Sequence, residues 1–184
     1  LPRINEEGPA MERYRRFNGG RQQAFLDAGE RAFEGAPAAC AIGTADGPLR
    51  VHFLAGRGAV RHVENPRQVS AYCYPQRYGP RAPTFSRAAL AQAGEGRLGL
   101  FVSGTASIVG HESVHPGDVR AQVRETVANL RAVLDNASSR CSARWSLRDL
   151  HGVVYVRHAQ DHAAVVDELA RAARELGRDA GELV

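Results

Sequence analysis

Apolar residues recur with helical spacing in the second half of the 184-residue chain, and this pattern gives its clearest predicted element. Asp118 is a good helix N-cap, and five apolar residues follow it at intervals of three or four on one helix face: Val119, Val123, Val127, Leu130 and Leu134. The pattern predicts a helix over residues 118–135. Similar spacing predicts a last helix over 161–176 and a first helix around 22–33.

Five short segments have the apolar and β-branched composition that is typical of strands. AACAIGT (38–44) and LRVHFLA (49–55) are joined by the turn-like sequence ADGP, and together they predict a β-hairpin. VSAYCY (69–74) predicts a further extended segment. LGLFVSGTASIVG (98–110) predicts a strand with a bulge or a close backbone approach at its central glycine, and GVVYVRH (152–158) predicts another strand.

The order of these elements predicts an α+β fold in which two amphipathic helices pack on one face of a mixed sheet. We expect residues 1–37 to form an N-terminal arm and helix. Residues 38–184 are expected to form the main domain, apparently without its final strand, because the sequence stops at GELV just after the last helix.

Composition narrows the classes of function. All 24 basic residues are arginine, so chemistry that needs a lysine Schiff base, including that of pyridoxal phosphate, is excluded. The arginines are interleaved with acidic residues and the net charge is only +4, so we expect no nucleic-acid partner. No apolar run reaches the roughly 18 residues of a membrane span, and no signal peptide is apparent. A cytoplasmic protein with no membrane partner is therefore expected.

The three cysteines form no C-x-x-C pair, which indicates reduced thiols. Cys40 and Cys73 stand in apolar runs, where a buried, unreactive thiol is the expected role.

A loop rich in aromatic and arginine side chains is predicted over residues 74–88. YPQRYGPRAPTFSRA holds three prolines, three arginines and three aromatics. Its prolines argue against an interior helix or a central strand, and its aromatics argue against disorder. We interpret it as an ordered binding loop. The alternative is a loop that only covers the core.

The stretch HESVH (111–115) fits the zinc-binding pattern H-E-x-x-H. That pattern needs both histidines in one continuous helix, so that they share a face. Here Pro116 and Gly117 follow the second histidine, and the predicted helix begins only at Asp118. HESVH therefore lies in a connection before the helix, and we expect no metal site.

Several segments resemble the chorismatase family, which is also labelled pteridine-dependent deoxygenase-like. SGTASIVGHESVHPGDVRAQVRETVANLRAVL (103–134) carries most of the resemblance. It extends in the same order over RYRRFNGGRQQAF (13–25), residues 64–88 and VVYVRH (153–158). The resemblance implies a C-terminal RidA/YjgF-like domain, with the chorismate mutase-like sandwich of that superfamily. It also implies a possible homotrimer, since RidA-like subunits usually form trimers with ligand clefts between subunits.

Chorismatases act in bacterial secondary metabolism, including antibiotic biosynthesis, and cleave the enolpyruvyl ether of chorismate. The products are pyruvate and a dihydroxycyclohexadiene carboxylate or a hydroxybenzoate. The resemblance implies neither a metal nor an organic cofactor. Chorismate carries two carboxylates, which arginine binds in a bidentate manner. The residues expected to bind it are the clamps Arg81 and Arg157, the supporting Arg77 and Arg13, the ring-binding Tyr74 and Tyr78, and Gly104, which lets the backbone approach the ligand.

The chain departs from the family pattern at the general acid. Ether cleavage needs an acid to protonate the enol methylene, and in chorismatases this is expected to be a glutamate on the final strand. Here that position would lie just beyond Val184, which leaves Glu112 and Glu125 as weak candidates for the catalytic acid.

Four interpretations stay open. The sequence is part of a longer active chorismatase, or a shortened member with altered activity, or a RidA-type deaminase of enamines and imines. The fourth is a non-enzymatic small-molecule binding subunit.

Overall fold

The computed structural model describes residues 1–94 and 96–175, and these residues form an α+β structure. They divide into two compact units. Unit 1 comprises Leu1–Glu64 and Val69–Gly104, and unit 2 comprises Asn65–Gln68 and the residues from Thr105 onward. The domain boundary expected at residue 38 stays a prediction. The helices and strands are α1 (Arg13–Asp27), β1 (Arg61–Val63), β2 (Ala88–Gln92), β3 (Leu98–Val102), β4 (Ile108–Val109), β5 (Glu112–Ser113), α2 (Val119–Ser138) and α3 (His162–Glu175).

The sheet of unit 1 has three antiparallel strands in the order β1-β2-β3. β2 lies in the centre, where Ala88 pairs with Val63 on one side and with Val102 on the other. Ala88 and Leu90 are almost completely buried. All pairs between the named strands in the described ranges are antiparallel, and parallel pairing occurs only at isolated bridges such as that of Ala38 with Ser86, so the expected mixed sheet is confirmed only at the level of an α+β structure.

Helix α1 begins nine residues before the predicted position and also ends earlier. Its buried side chains, Asn18 and Gln22, are polar, so it has no apolar stripe by which the sequence could reveal it. Gly29 has a φ of 69°, a left-handed conformation that ends helices and favours glycine. The predicted extension to Phe33 is therefore wrong.

Four predicted extended segments do not form strands. Residues 38–44 and 49–55 form no hairpin, and Val51, Phe53 and Leu54 are 68%, 86% and 80% exposed. Residues 69–74 include a single 3₁₀ turn, Ala71–Cys73. Residues 152–158 form no strand within the described part of the chain. Residues 38–44 make only two isolated bridges, Pro2 with Thr44 and Ala38 with Ser86, which do not continue into a ladder of backbone hydrogen bonds.

Unit 2 contains the β4-β5 hairpin followed by α2 and α3. The hairpin and the turn after it hold HESVH, so the prediction that this motif lies outside the helix is confirmed. Asp118 caps α2, because its side chain accepts a hydrogen bond from the Ala121 backbone N–H at 2.9 Å. Helix α2 ends three residues later than predicted.

Helices α2 and α3 pack on each other around the buried residues Val133, Leu134, Val165 and Ala173. Helix α3 begins at His162, close to the predicted start. Its predicted end at residue 176 and the closing GELV lie outside the described residues. No helix within residues 1–94 and 96–175 has the length and apolar character to cross a membrane.

Candidate functional site

The aromatic and arginine-rich loop of unit 1 is ordered by its own side chains. The rings of Tyr74 and Tyr78 lie 5.5 Å apart and are tilted by 46°. The Arg77 guanidinium lies 5.1 Å from the Tyr78 ring centroid and donates a hydrogen bond to the Tyr78 hydroxyl at 3.3 Å. The structure therefore brings three of the predicted ligand residues together in a single aromatic cluster.

Helix α1 holds the following part of the same loop. Arg81 donates to the Gln22 side-chain oxygen at 3.1 Å, and Arg21 donates to the Thr84 carbonyl at 3.1 Å. Burial lowers the pKa of the Arg21 guanidinium. These contacts explain the order of a segment that has almost no secondary structure. Whether the loop binds a ligand stays a prediction.

Arg87 is the most buried cation of this region. Its side chain is only 6% exposed, and one guanidinium nitrogen donates to both the Val69 carbonyl and the Tyr74 hydroxyl at 2.9 Å. The guanidinium carbon also lies 5.7 Å from the Tyr74 ring centroid and 5.2 Å from that of Phe85. Arg87 therefore connects the aromatic cluster to the buried start of β2.

Two further ionisable groups belong to this region. Burial raises the pKa of the Tyr14 hydroxyl on α1. Burial also raises the pKa of the Glu64 carboxyl, against smaller opposing contributions from Ser70, Arg87 and Ser86. Both shifts disfavour the anionic form in a partly desolvated site.

Sequence reasoning missed Arg87, Glu64 and Tyr14. A signal existed only for Arg87, which directly precedes the apolar run of β2, where a cation needs partners. Glu64 and Tyr14 stand in polar surroundings along the chain, and only the fold buries them.

The backbone of Gly104 approaches another group closely, and that group is the Cys40 side chain of the same chain. A Cβ added to Gly104 would lie 2.6 Å from the Cys40 sulfur. Burial raises the pKa of the Cys40 thiol, although Cys40 and Cys73 are exposed as whole residues and not buried as expected. The space beside Gly104 is therefore filled by Cys40, and the role of Gly104 in ligand binding stays a prediction.

We predict that Gly104→Ala lowers the free energy of unfolding by about 1 kcal/mol, because the new methyl group must displace the Cys40 sulfur. Urea denaturation of Gly104→Ala, Cys40→Ala and the double variant tests this contact. The double variant should recover most of the loss. If Gly104→Ala destabilises the Cys40→Ala variant as much as it destabilises the unmodified chain, the explanation is contradicted.

Arg13 is engaged by the N-terminal segment. It forms an ion pair with Glu6 and donates to the Pro2 carbonyl at 3.0 Å. With Leu1, Arg16 and Phe17 it lines an open depression of about 410 Å³.

The remaining predicted residues lie in unit 2. Glu125 is only 15% exposed, and its carboxylate contacts Arg67 at 2.5 Å and His115 at 3.4 Å. Glu112 is exposed on β5, and Arg157 is exposed in the unpaired segment 152–158. The described residues contain no group of three or more potential metal ligands.

His115, the second histidine of HESVH, has an unusual backbone conformation. Its φ of 60° is rare for a residue other than glycine. The carbonyl of His115 accepts hydrogen bonds from the Gln122 side chain at 2.8 Å and from the Asp118 backbone at 3.2 Å. These bonds hold the turn that leads into α2.

The fold and these residues define an α+β chain that is similar to chorismatases. Residues 1–55 match the family model described as Chorismatase FkbO/Hyg5-like, N-terminal. A 3-hydroxybenzoate synthase from Streptomyces hygroscopicus is 44% identical over 173 residues, which cover 90% of this chain and 50% of that protein. A chorismatase from Streptomyces rapamycinicus is 45% identical over 163 residues, which cover 84% of this chain and 48% of that protein.

A solved structure supports the same relationship. The crystal structure of a chorismatase matches with a TM-score of 0.74 and 31% identity, over 93% of this chain and 53% of that chain. The chain thus has chorismatase homologues along most of its length, and it spans about half the length of the curated relatives that it matches.

Proposed function

We propose that the chain takes part in cleavage of the enolpyruvyl ether of chorismate, with release of pyruvate and a dihydroxycyclohexadiene carboxylate or a hydroxybenzoate. The observation that carries this proposal is the 44% identity to a 3-hydroxybenzoate synthase over 90% of the chain. The ordered cluster of Tyr74, Tyr78 and Arg77 supports it, since it offers a cation and aromatic faces to an anionic cyclic substrate.

Arg81 and Arg157 are the proposed carboxylate clamps. Both are exposed, and a guanidinium binds a carboxylate through two parallel hydrogen bonds. Tyr74 and Tyr78 are proposed to supply hydroxyl donors and flat walls for the ring, with Arg77 behind Tyr78. Arg13 is the weakest of these assignments, because Glu6 already neutralises its charge.

The reaction needs a proton donor and water. Protonation of the enol methylene gives an oxocarbenium-like carbon, and addition of water to that carbon gives a hemiketal that collapses to pyruvate and the ring alcohol. Glu125 is poorly placed for this task, since Arg67 and His115 already contact its carboxylate. We propose Glu112, exposed on β5, as the acid within the described residues, with the family glutamate of the final strand as the alternative.

We also propose the finer features that the resemblance implies. These are a RidA/YjgF-like arrangement, a homotrimer, a cytoplasmic location and a role in antibiotic biosynthesis without metal or organic cofactor. Light scattering on a sizing column tests the assembly: a mass of three chains supports the trimer, and a mass of one chain refutes it.

The proposed function is tested by incubating the 184-residue chain with chorismate and measuring pyruvate with lactate dehydrogenase and NADH. We expect pyruvate release above the spontaneous rate, with equimolar ring product by chromatography. Saturable binding of chorismate by calorimetry without pyruvate would support the binding-subunit alternative. Neither binding nor release would refute a chorismate-directed role.

A further inference from the structure

The Arg87 guanidinium is buried next to Tyr74, one of the two tyrosines that are proposed to bind the substrate ring. It is 6% exposed, and it contacts the Tyr74 hydroxyl at 2.9 Å. Burying a guanidinium is costly unless its charge and its N–H groups are compensated. Here the Val69 carbonyl accepts one hydrogen bond, the Tyr74 oxygen accepts another, and two aromatic rings flank the cation.

The charge of Arg87 is also compensated from the end of β1. Glu64 directly follows β1, and its carboxyl interacts with Arg87 electrostatically and through the Arg87 backbone. The carboxyl also interacts with the hydroxyls of Ser70 and Ser86. Arg87 is therefore held from several sides, which makes it a rigid support for the tyrosine.

A cation that donates a hydrogen bond to a phenol oxygen has two effects on that phenol. It fixes the direction of the hydroxyl, since one lone pair of the oxygen is occupied. It also withdraws electron density from the oxygen, so the phenol O–H becomes a stronger hydrogen-bond donor. Both effects matter most where negative charge is stabilised in a partly desolvated site.

We propose that Arg87 is a positioning residue, which fixes the Tyr74 hydroxyl as a directed hydrogen-bond donor for an oxygen of the anionic substrate. This inference rests on the proposed function for the identity of the ligand. The contact between Arg87 and Tyr74 itself does not depend on it. A purely structural role for Arg87 is the competing explanation, and it predicts a loss of stability alone.

The kinetic test compares Arg87→Met, Arg87→Lys, Tyr74→Phe and the double variant Arg87→Met/Tyr74→Phe in the pyruvate assay. We expect Arg87→Met and Tyr74→Phe each to lower kcat by up to about 100-fold with little change in KM. The double variant should be no slower than the slower single variant, and Arg87→Lys should recover part of the rate. Multiplicative losses, or an unchanged kcat in a less stable variant, would overturn the inference.

A second readout needs no substrate. Fluorotyrosine incorporated into the chain gives one ¹⁹F resonance for each tyrosine, and Tyr74→Phe assigns the signal of Tyr74. We expect Arg87→Met to shift or broaden the Tyr74 signal while the Tyr155 signal, from an exposed tyrosine of unit 2, stays unchanged. Circular dichroism confirms that each variant is folded.

The two readouts separate the two proposals. If the unmodified chain neither binds nor cleaves chorismate, the proposed function is refuted. The ¹⁹F spectrum still shows whether Arg87 contacts Tyr74. If the ¹⁹F resonance of Tyr74 is unchanged in Arg87→Met, the positioning role is refuted, whether or not the chain cleaves chorismate.

Discussion

Replacement of Asn129 by alanine should lower the free energy of unfolding by about 2 to 4 kcal/mol. Asn129 lies on α2 and is completely buried. Its side-chain nitrogen donates to the Ala106 carbonyl at 3.0 Å and to the Ile108 carbonyl at 2.8 Å. Alanine would remove both hydrogen bonds, each worth about 1 kcal/mol, and would leave a cavity, although the Ile108 carbonyl keeps the Gln68 donor and the Ala106 carbonyl keeps the Ile108 N–H.

Asn136→Ala is the matched control, since it changes the same residue type two turns further along α2 at a partly exposed position. We expect that variant to cost less than about 0.5 kcal/mol. Urea denaturation followed by circular dichroism measures both. Similar losses for the two variants would mean that the buried hydrogen bonds of Asn129 contribute little.

Asn129 is expected to have a large effect on stability because its hydrogen bonds connect the β4-β5 hairpin to α2. The Asn65 side chain donates to the Asn129 backbone carbonyl at 2.9 Å, which adds the short segment Asn65–Gln68 to the same network. Gln68 in turn donates to the Ile108 carbonyl at 3.0 Å. A single asparagine therefore anchors the connection that carries HESVH.

Helix α2 illustrates what the sequence alone predicts well. Its apolar stripe and its N-cap Asp118 are local features, and both are confirmed. The position of HESVH outside the helix followed from the same cap. Asn129 was not predicted, because an asparagine on a helix is ordinarily exposed and only its neighbours in space reveal that it is buried.

The segments that were predicted as strands but do not form them show what a sequence pattern cannot determine. LRVHFLA and GVVYVRH have strand composition, yet a strand forms only where another strand offers backbone partners. The strand β2, AALAQ, has weak strand propensity and still forms the centre of the sheet, because β1 and β3 flank it. Tertiary pairing decided all three cases.

The candidate site was predicted in part. Proline and aromatic content identified the loop of residues 74–88, and the structure gathers Tyr74, Tyr78 and Arg77 there. Arg87 and Glu64 escaped prediction because their burial results from the packing of β1 and β2 against the loop. Composition along the chain carries no information about that packing.

Replacement of Glu168 by alanine should lower the free energy of unfolding by about 2 kcal/mol. Glu168 on α3 is only 6% exposed, and three arginines surround its carboxylate: Arg124 at 3.0 Å, Arg171 at 3.3 Å and Arg120 at 3.4 Å. Without the carboxylate these three cations repel one another at the contact between α2 and α3. The arginine side chains are about half exposed, so solvent screening keeps the cost below that of a fully buried pair.

Asp167→Ala is the control for Glu168→Ala, because Asp167 is the neighbouring acid, is 65% exposed and pairs with Arg120. We expect Asp167→Ala to cost less than about 0.5 kcal/mol. Thermal unfolding in low and high salt measures both variants, and the deficit of Glu168→Ala should shrink at high salt as the arginines are screened. If the loss of stability of Glu168→Ala does not change with salt, it results from lost packing of the glutamate side chain. The ion pairs with the three arginines would then not stabilise the contact between the two helices.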